Sequence, residues 1–192
     1  MWNLGLLGAA GGTLAAAGES FDLLQTEILT GTQAVVSFSN LNSTYGTDYK
    51  HLQIRMAGRS TRSATSSDFR INFNGDTGSN YTWHYMRGDG SATESAGTGG
   101  LNYIRGYQAL TGATHTGGSF AATVIDIVEP FNTSKNTTVS LVTGMVGSLN
   151  RVLLESGAWL NTSPITSITL DELYGSSFVQ YSRFSLYGLK AA

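Results

Sequence analysis

Three stretches of this chain, RINFNGDTGSNYTWH (Arg70 to His84), GAWLNTSPITSITL (Gly157 to Leu170) and SRFSLYGLK (Ser182 to Lys190), are written in the same way. Each sets β-branched or aromatic residues at alternate positions and stops at Gly, Asn, Asp or Ser, the pattern of half-buried strands joined by tight turns. The pattern continues along most of the chain. Strands are expected at Phe21 to Leu29, Ala34 to Phe38, His51 to Ala57, Phe69 to Phe73, Tyr81 to Met86, Leu101 to Tyr107, Phe120 to Val128, Thr138 to Met145, Val152 to Leu160, Ile165 to Leu170 and Phe178 to Leu189. No segment shows a helical face, and Pro130 and Pro164 fall at strand boundaries, where a residue without an N–H donor is tolerated. Short strands at this spacing predict two packed antiparallel sheets, an all-β sandwich.

Within the strands, alternation predicts which residues face the core. Leu52, Ile54 and Met56 point one way and Gln53 and Arg55 the other; Ile71 with Phe73, and Phe184 with Leu186, make the same division. The stretch Gly88 to Gly100 (GDGSATESAGTGG) has almost no apolar residue and is expected to be an exposed loop.

The chain has 192 residues, enough for one well-cored domain. Only 12% of residues are charged, but 41% are hydrophobic and aromatics are plentiful, so the Ser, Thr, Asn and Gly of the surface do not signal disorder. A net charge of −2 gives no electrostatic reason to expect nucleic acid. Arg55, Arg59 and Arg62 form the one loose basic cluster, read as a solvated strand end and loop. With no cysteine, disulfides, thiolate chemistry and the common structural zinc sites are removed together. The core, helped by contacts between subunits, must then hold the fold.

Residues 1–18 (MWNLGLLGAAGGTLAAAG) carry no charged side chain, and the first basic residue is Lys50. A secretory signal has a positive start before an unbroken apolar core, and a membrane span needs about 20 apolar residues, so neither is expected here. Trp2, Leu4, Leu6 and Leu7 make a compact apolar cluster followed by a Gly/Ala linker. The expected organisation is an arm over 1–18, docked on a neighbouring subunit or else folded back on its own domain or frayed, and a β domain over 19–192. Each large side chain buried on a neighbour contributes about 1.5–3 kcal/mol.

Reactive constellations are weak. His51, His84 and His115 lie in three separate segments, and no G-x-S-x-G elbow is present. Asp126, Glu129, Asp171 and Glu172 are the nearest to a glycosidase pair, which requires two carboxyl groups across a sugar cleft. Asp126 interrupts the apolar run Val124 to Val128 and is read as facing outward, because an unpaired buried charge is costly. Asn74 to Asn80 offers clustered oxygens but lacks the bidentate Glu of a calcium loop and reads as a turn. Arg87-Gly88-Asp89 is read as a chance tripeptide. No metal and no cofactor is expected. Trp83, Tyr85 and Tyr103 could form an aromatic platform for sugar if exposed; an alternating aromatic strand that faces inward is simply core.

Tyr49 to Arg55, Arg70 to Asp76 with Gly78 to Tyr81, Gly157 to Thr162, and Ser182 to Gly188 together resemble a group of small tailed-bacteriophage structural proteins, over most of Glu19 to Lys190. The resemblance implies a jelly-roll type sandwich in the virion, as a capsid decoration, tail appendage or fibre, that is not an enzyme. It implies other virion proteins as partners and a homo-oligomer, by analogy a trimer, with no nucleic acid and no membrane. The alternative is a carbohydrate-binding module that adsorbs to a host surface glycan.

Overall fold

The computed structural model describes residues 21–190, and twelve strands and one short helix are present among them. The strands are β1 (Phe21–Ile28), β2 (Val35–Phe38), β3 (His51–Gly58), β4 (Ser66–Phe73), β5 (Tyr81–Gly88), β6 (Thr93–Leu101), β7 (Ile104–Thr111), β8 (Ala121–Val128), β9 (Thr137–Met145), β10 (Arg151–Trp159), β11 (Ile168–Glu172) and β12 (Arg183–Leu189). They form an antiparallel sandwich of an eight-stranded sheet, β1-β12-β3-β8-β9-β10-β5-β6, and a four-stranded sheet, β2-β11-β4-β7. Every strand of the small sheet lies in sequence between strands of the large one, so the chain repeatedly crosses the core.

Alternation places the core where it was expected. Leu52, Ile54 and Met56 of β3 are buried, as are Ile71 and Phe73 of β4 and Phe184 and Leu186 of β12. Ile125 and Ile127 of β8, Val139 and Leu141 of β9, and Leu153 and Trp159 of β10 complete the inner face of the large sheet. Phe73, Tyr81 and Trp159 pack as an aromatic group, with Phe73 to Trp159 centroids at 5.7 Å and Tyr81 to Trp159 at 6.4 Å. The Trp159 indole N–H donates to Asp76 Oδ2 at 2.7 Å, so its one polar atom is satisfied at the margin of the core.

Two elements differ from the sequence expectation. Residues 88–100 are not an exposed loop: they form the end of β5, a turn and the nine-residue edge strand β6. Asp89 makes the turn, accepting from Ser91 N at 3.0 Å, Ser91 Oγ at 2.8 Å and Ala92 N at 2.9 Å. Neither face of β6 is covered, because the small sheet ends at β7, and an uncovered strand needs no apolar alternation to form. The helix α1 (Leu41–Tyr45) is too short to write a period of its own, and Leu41 alone is buried from it. Leu101 closes β6 while β7 starts at Ile104, dividing what alternation joined. Phe178 precedes the last strand and makes isolated bridges to Gln33 and Ser60.

β7 packs over β10 with little room between the two sheets. A Cβ on Gly157 would lie 2.8 Å from Thr82 O and 2.9 Å from Ile104 Cγ2. Gly157→Val is expected to destabilise the sandwich by about 1–3 kcal/mol through overpacking. Gly144→Ala, whose Cβ meets nothing within 4 Å, serves as the control, and urea unfolding midpoints compare the two.

Candidate functional site

The flank of the sandwich beyond the small sheet is closed by side chains instead of strands. Trp83 and Tyr85 point inward from β5 and stack with centroids 5.0 Å apart, and Tyr107 of β7 lies 4.4 Å from Tyr85 and 5.7 Å from Trp83. The Arg105 guanidinium covers the outer rim of this group, 5.3 Å from the Trp83 ring and 4.8 Å from the Tyr107 ring. Trp83 and Tyr85 are only 5% and 7% exposed, so they are core and cannot present faces to a sugar. Tyr103, in the turn between β6 and β7, is half-buried and stands apart from their stack.

Two buried carboxyl groups lie under the aromatics. Asp68 accepts from Arg105 Nε at 2.6 Å, Gln108 N at 2.8 Å and Tyr174 Oη at 3.0 Å, and forms an ion pair with Arg105. A bulge between Ser67 and Phe69 makes three successive residues of β4 buried, which is how an acid comes to the inside of a strand. Glu155 of β10 is 1% exposed; its Oε2 accepts from Trp83 Nε1 at 2.8 Å and Tyr107 N at 2.9 Å, while Oε1 has no partner. Burial pushes the Glu155 carboxyl up to about 8, against the pull of those two donors.

A carboxyl held protonated near neutral pH is one half of a glycosidase acid pair. The other half is missing at this place. Asp68 is engaged by Arg105 and Tyr174, and Glu155 is too deeply buried for a substrate to reach. The acids singled out from sequence are scattered. Asp126 lies outward on β8 and accepts from Gln53 Nε2 at 2.7 Å; Glu129 pairs with Lys135; Asp171 accepts from Arg70 Nε at 2.7 Å. Glu172 is buried and accepts from Tyr174 N at 2.8 Å, Ser176 N at 2.9 Å and the hydroxyls of Ser60 and Ser67.

The remaining motifs also serve the fold. Asp76 accepts from Trp159, from Asn80 Nδ2 at 2.9 Å and from Gly78 N at 2.8 Å, and these donors, Trp159 first, hold its carboxyl below the usual range. In the Arg87-Gly88-Asp89 tripeptide the acid is locked in its turn and held down to about 2, first by the Ser91 hydroxyl, while Arg87 pairs with Glu94. Arg59 is no solvated charge: it donates to the carbonyls of Thr116 and Ser119 at 2.9 Å and of Ala113 and His115 at 3.2 Å, tying down the loop before β8. Arg62 lies 3.7 Å over the Tyr174 ring, and Arg55 lies over Phe21 and Tyr187. His51 accepts from Glu129 N, His84 is exposed and His115 is buried near Leu149 O, three unrelated places.

The least committed surface is the outer face of the large sheet. Met86 of β5, Leu154 of β10 and Val142 of β9 are in direct cross-strand register, and Met86 and Leu154 are 60% and 55% exposed. Val152 continues the band one pair further along, flanked by Gly88 and Gly144. Two hollows open here, one of about 620 Å³ lined by Gly88, Asp89, Gly144, Met145, Arg151 and Val152 among others, and one of about 350 Å³ lined by His84, Met86, Ser140, Leu154, Glu155 and Ser156 among others. The arm residues Trp2, Leu4, Leu6 and Leu7 lie outside the described residues. No protein family, curated protein or solved structure matches the chain.

Glu155 gives the site a measurable signature. Its folded value stands above the 4.5 of an ordinary glutamate, so folding takes up a proton. Stability is then full below about pH 4.5 and falls as pH rises toward 8. Glu155→Gln is expected to flatten that decline and to be the more stable protein at pH 8.5, by thermal unfolding across pH 4.5–8.5.

Proposed function

We propose that this chain is a non-enzymatic structural component of a bacteriophage particle, a capsid decoration or tail appendage docked by residues 1–18. One observation carries the non-enzymatic part: the acids that the sandwich buries are committed to internal partners or sealed from solvent, whereas the large sheet exposes an apolar band at Met86, Val142, Val152 and Leu154. Exposed apolar surface of that kind is characteristic of protein contacts, not of bond-making chemistry. The resemblance of Tyr49 to Arg55, Arg70 to Tyr81, Gly157 to Thr162 and Ser182 to Gly188 to phage structural proteins supplies the virion setting and the jelly-roll description. Trp2, Leu4, Leu6 and Leu7 supply the anchor, in a segment with no charge to desolvate. Association of several copies, as a trimer by the same analogy, is part of this reading.

Particles stripped of this protein provide the test. Full-length chain is expected to cosediment with them, and a Trp2→Ser/Leu6→Ser chain to lose at least roughly tenfold in affinity with its unfolding midpoint unchanged. Equal docking by both chains, or by neither, refutes the anchor. Retention of the chain on host glycan alone would favour adsorption instead.

A further inference from the structure

We infer that the larger hollow, at the end of the sandwich where β5 and β9 finish and β10 starts, is a binding site for an acidic sugar, with Arg151 taking the carboxylate and Asp89 and Asn150 the ring hydroxyls. The site uses nothing of the arm and goes beyond the anchoring role.

Arg151 carries the argument. Seven of the chain's eight arginines donate hydrogen bonds through the guanidinium. Arg151 lines the hollow, and its Nε and Nη1 are buried without a partner among the described residues, which leaves Nη2 as the nitrogen in reach of solvent. The acids near enough to act on it are already engaged. Glu94 accepts from Tyr85 with one oxygen and from Arg87 with the other, and Asp89 takes its three turn donors on Oδ1. Burial first, and then the like charge of Arg87, pull the Arg151 guanidinium below the usual arginine value. A cation desolvated in this way costs stability until an anion offsets it, and an unmet buried polar group marks a place where something else supplies the partner. An anion entering the hollow meets the charge at Nη2.

The rim and the floor select the anion. Asp89 is ionised at neutral pH, and its Oδ2 has no donor among the described residues. Its charge repels a dianion such as sulfate, and a bare carboxylate leaves Oδ2 unmet. A carboxylate with hydroxyls on neighbouring carbons serves both side chains. Asn150 accepts from Gly147 N at 3.0 Å with Oδ1, and its amide N–H groups, unused among the described residues, suit a hydroxyl oxygen. Gly88 and Gly144 keep the floor low, and Phe120 and Val152 supply apolar side chains on which the C–H face of a sugar ring packs. A hollow of about 620 Å³ is of the size that holds small ligands.

Calorimetric titration of the full-length chain tests this, with glucuronate and N-acetylneuraminate as probes and glucose, acetate and sulfate as controls. At least one acidic sugar is expected to bind saturably, and each control at least roughly tenfold more weakly. Arg151→Gln is expected to lose at least roughly tenfold in affinity and, because it removes an unmet buried charge, to unfold in urea at a midpoint no lower than the parent's. Asp89→Asn, whose amide oxygen can keep the turn's donors, is expected to weaken the acidic sugar and strengthen sulfate. Failure of both acidic sugars to bind saturably overturns the inference, as does binding that Arg151→Gln leaves unchanged. Acetate or sulfate bound as tightly as the acidic sugar reduces the hollow to an anion site and removes the sugar; glucose bound as tightly removes the role of Arg151. A lowered urea midpoint for Arg151→Gln makes the arginine structural and likewise overturns its assignment. These titrations use the isolated chain, so they fail or succeed separately from cosedimentation with stripped particles.

Discussion

A four-stranded sheet cannot cover an eight-stranded one, and much of this molecule follows from that mismatch. β7 is the last strand of the small sheet and packs over β10, β5, β8 and β9, so the inner faces of β5 and β6 extend past it. Burial there has to come from side chains. Trp83 and Tyr85 supply the area, Tyr107 reaches across from β7, and Arg105 lays a planar cation over the exposed edges of the rings. That cation is then held by Asp68, and the indole N–H of Trp83 by Glu155. Acids enter the interior here because the aromatics and the arginine that close the flank bring donors with them. β6, one strand further out, receives no cover and remains exposed along almost its whole length.

The same economy governs the charges. The chain has 24 charged residues apart from histidine, 11 basic and 13 acidic, and ion pairs join Arg70 to Asp171, Arg87 to Glu94, Arg105 to Asp68, Lys135 to Glu129 and Lys190 to Asp22. Apart from Arg105 with the buried Asp68, these are partly exposed pairs, which add little stability, typically about 0–1 kcal/mol, but neutralise charge locally. Surface repulsion between copies is correspondingly weak. Low charge is a liability for a protein meant to remain alone and suits one that has a fixed neighbour.

What could be read from the sequence was whatever a buried face imposes. β3, β8 and β9 have one covered face each, their apolar residues fall on alternate positions, and their limits came within a residue of those expected. β6 was misread for the converse reason, since Thr93 to Gly100 answers to no core. The buried acids left fainter marks. Glu155 has the same parity as Leu153 and Trp159, so alternation alone places it inside; the partners that make this tolerable, Trp83 and Tyr107, come from strands distant in sequence. Asp68 sits beside a bulge, and bulges break the parity on which such inference depends. The outer apolar band was hidden too, because Met86, Val142 and Leu154 are far apart in the chain and meet only through the register of β5, β10 and β9.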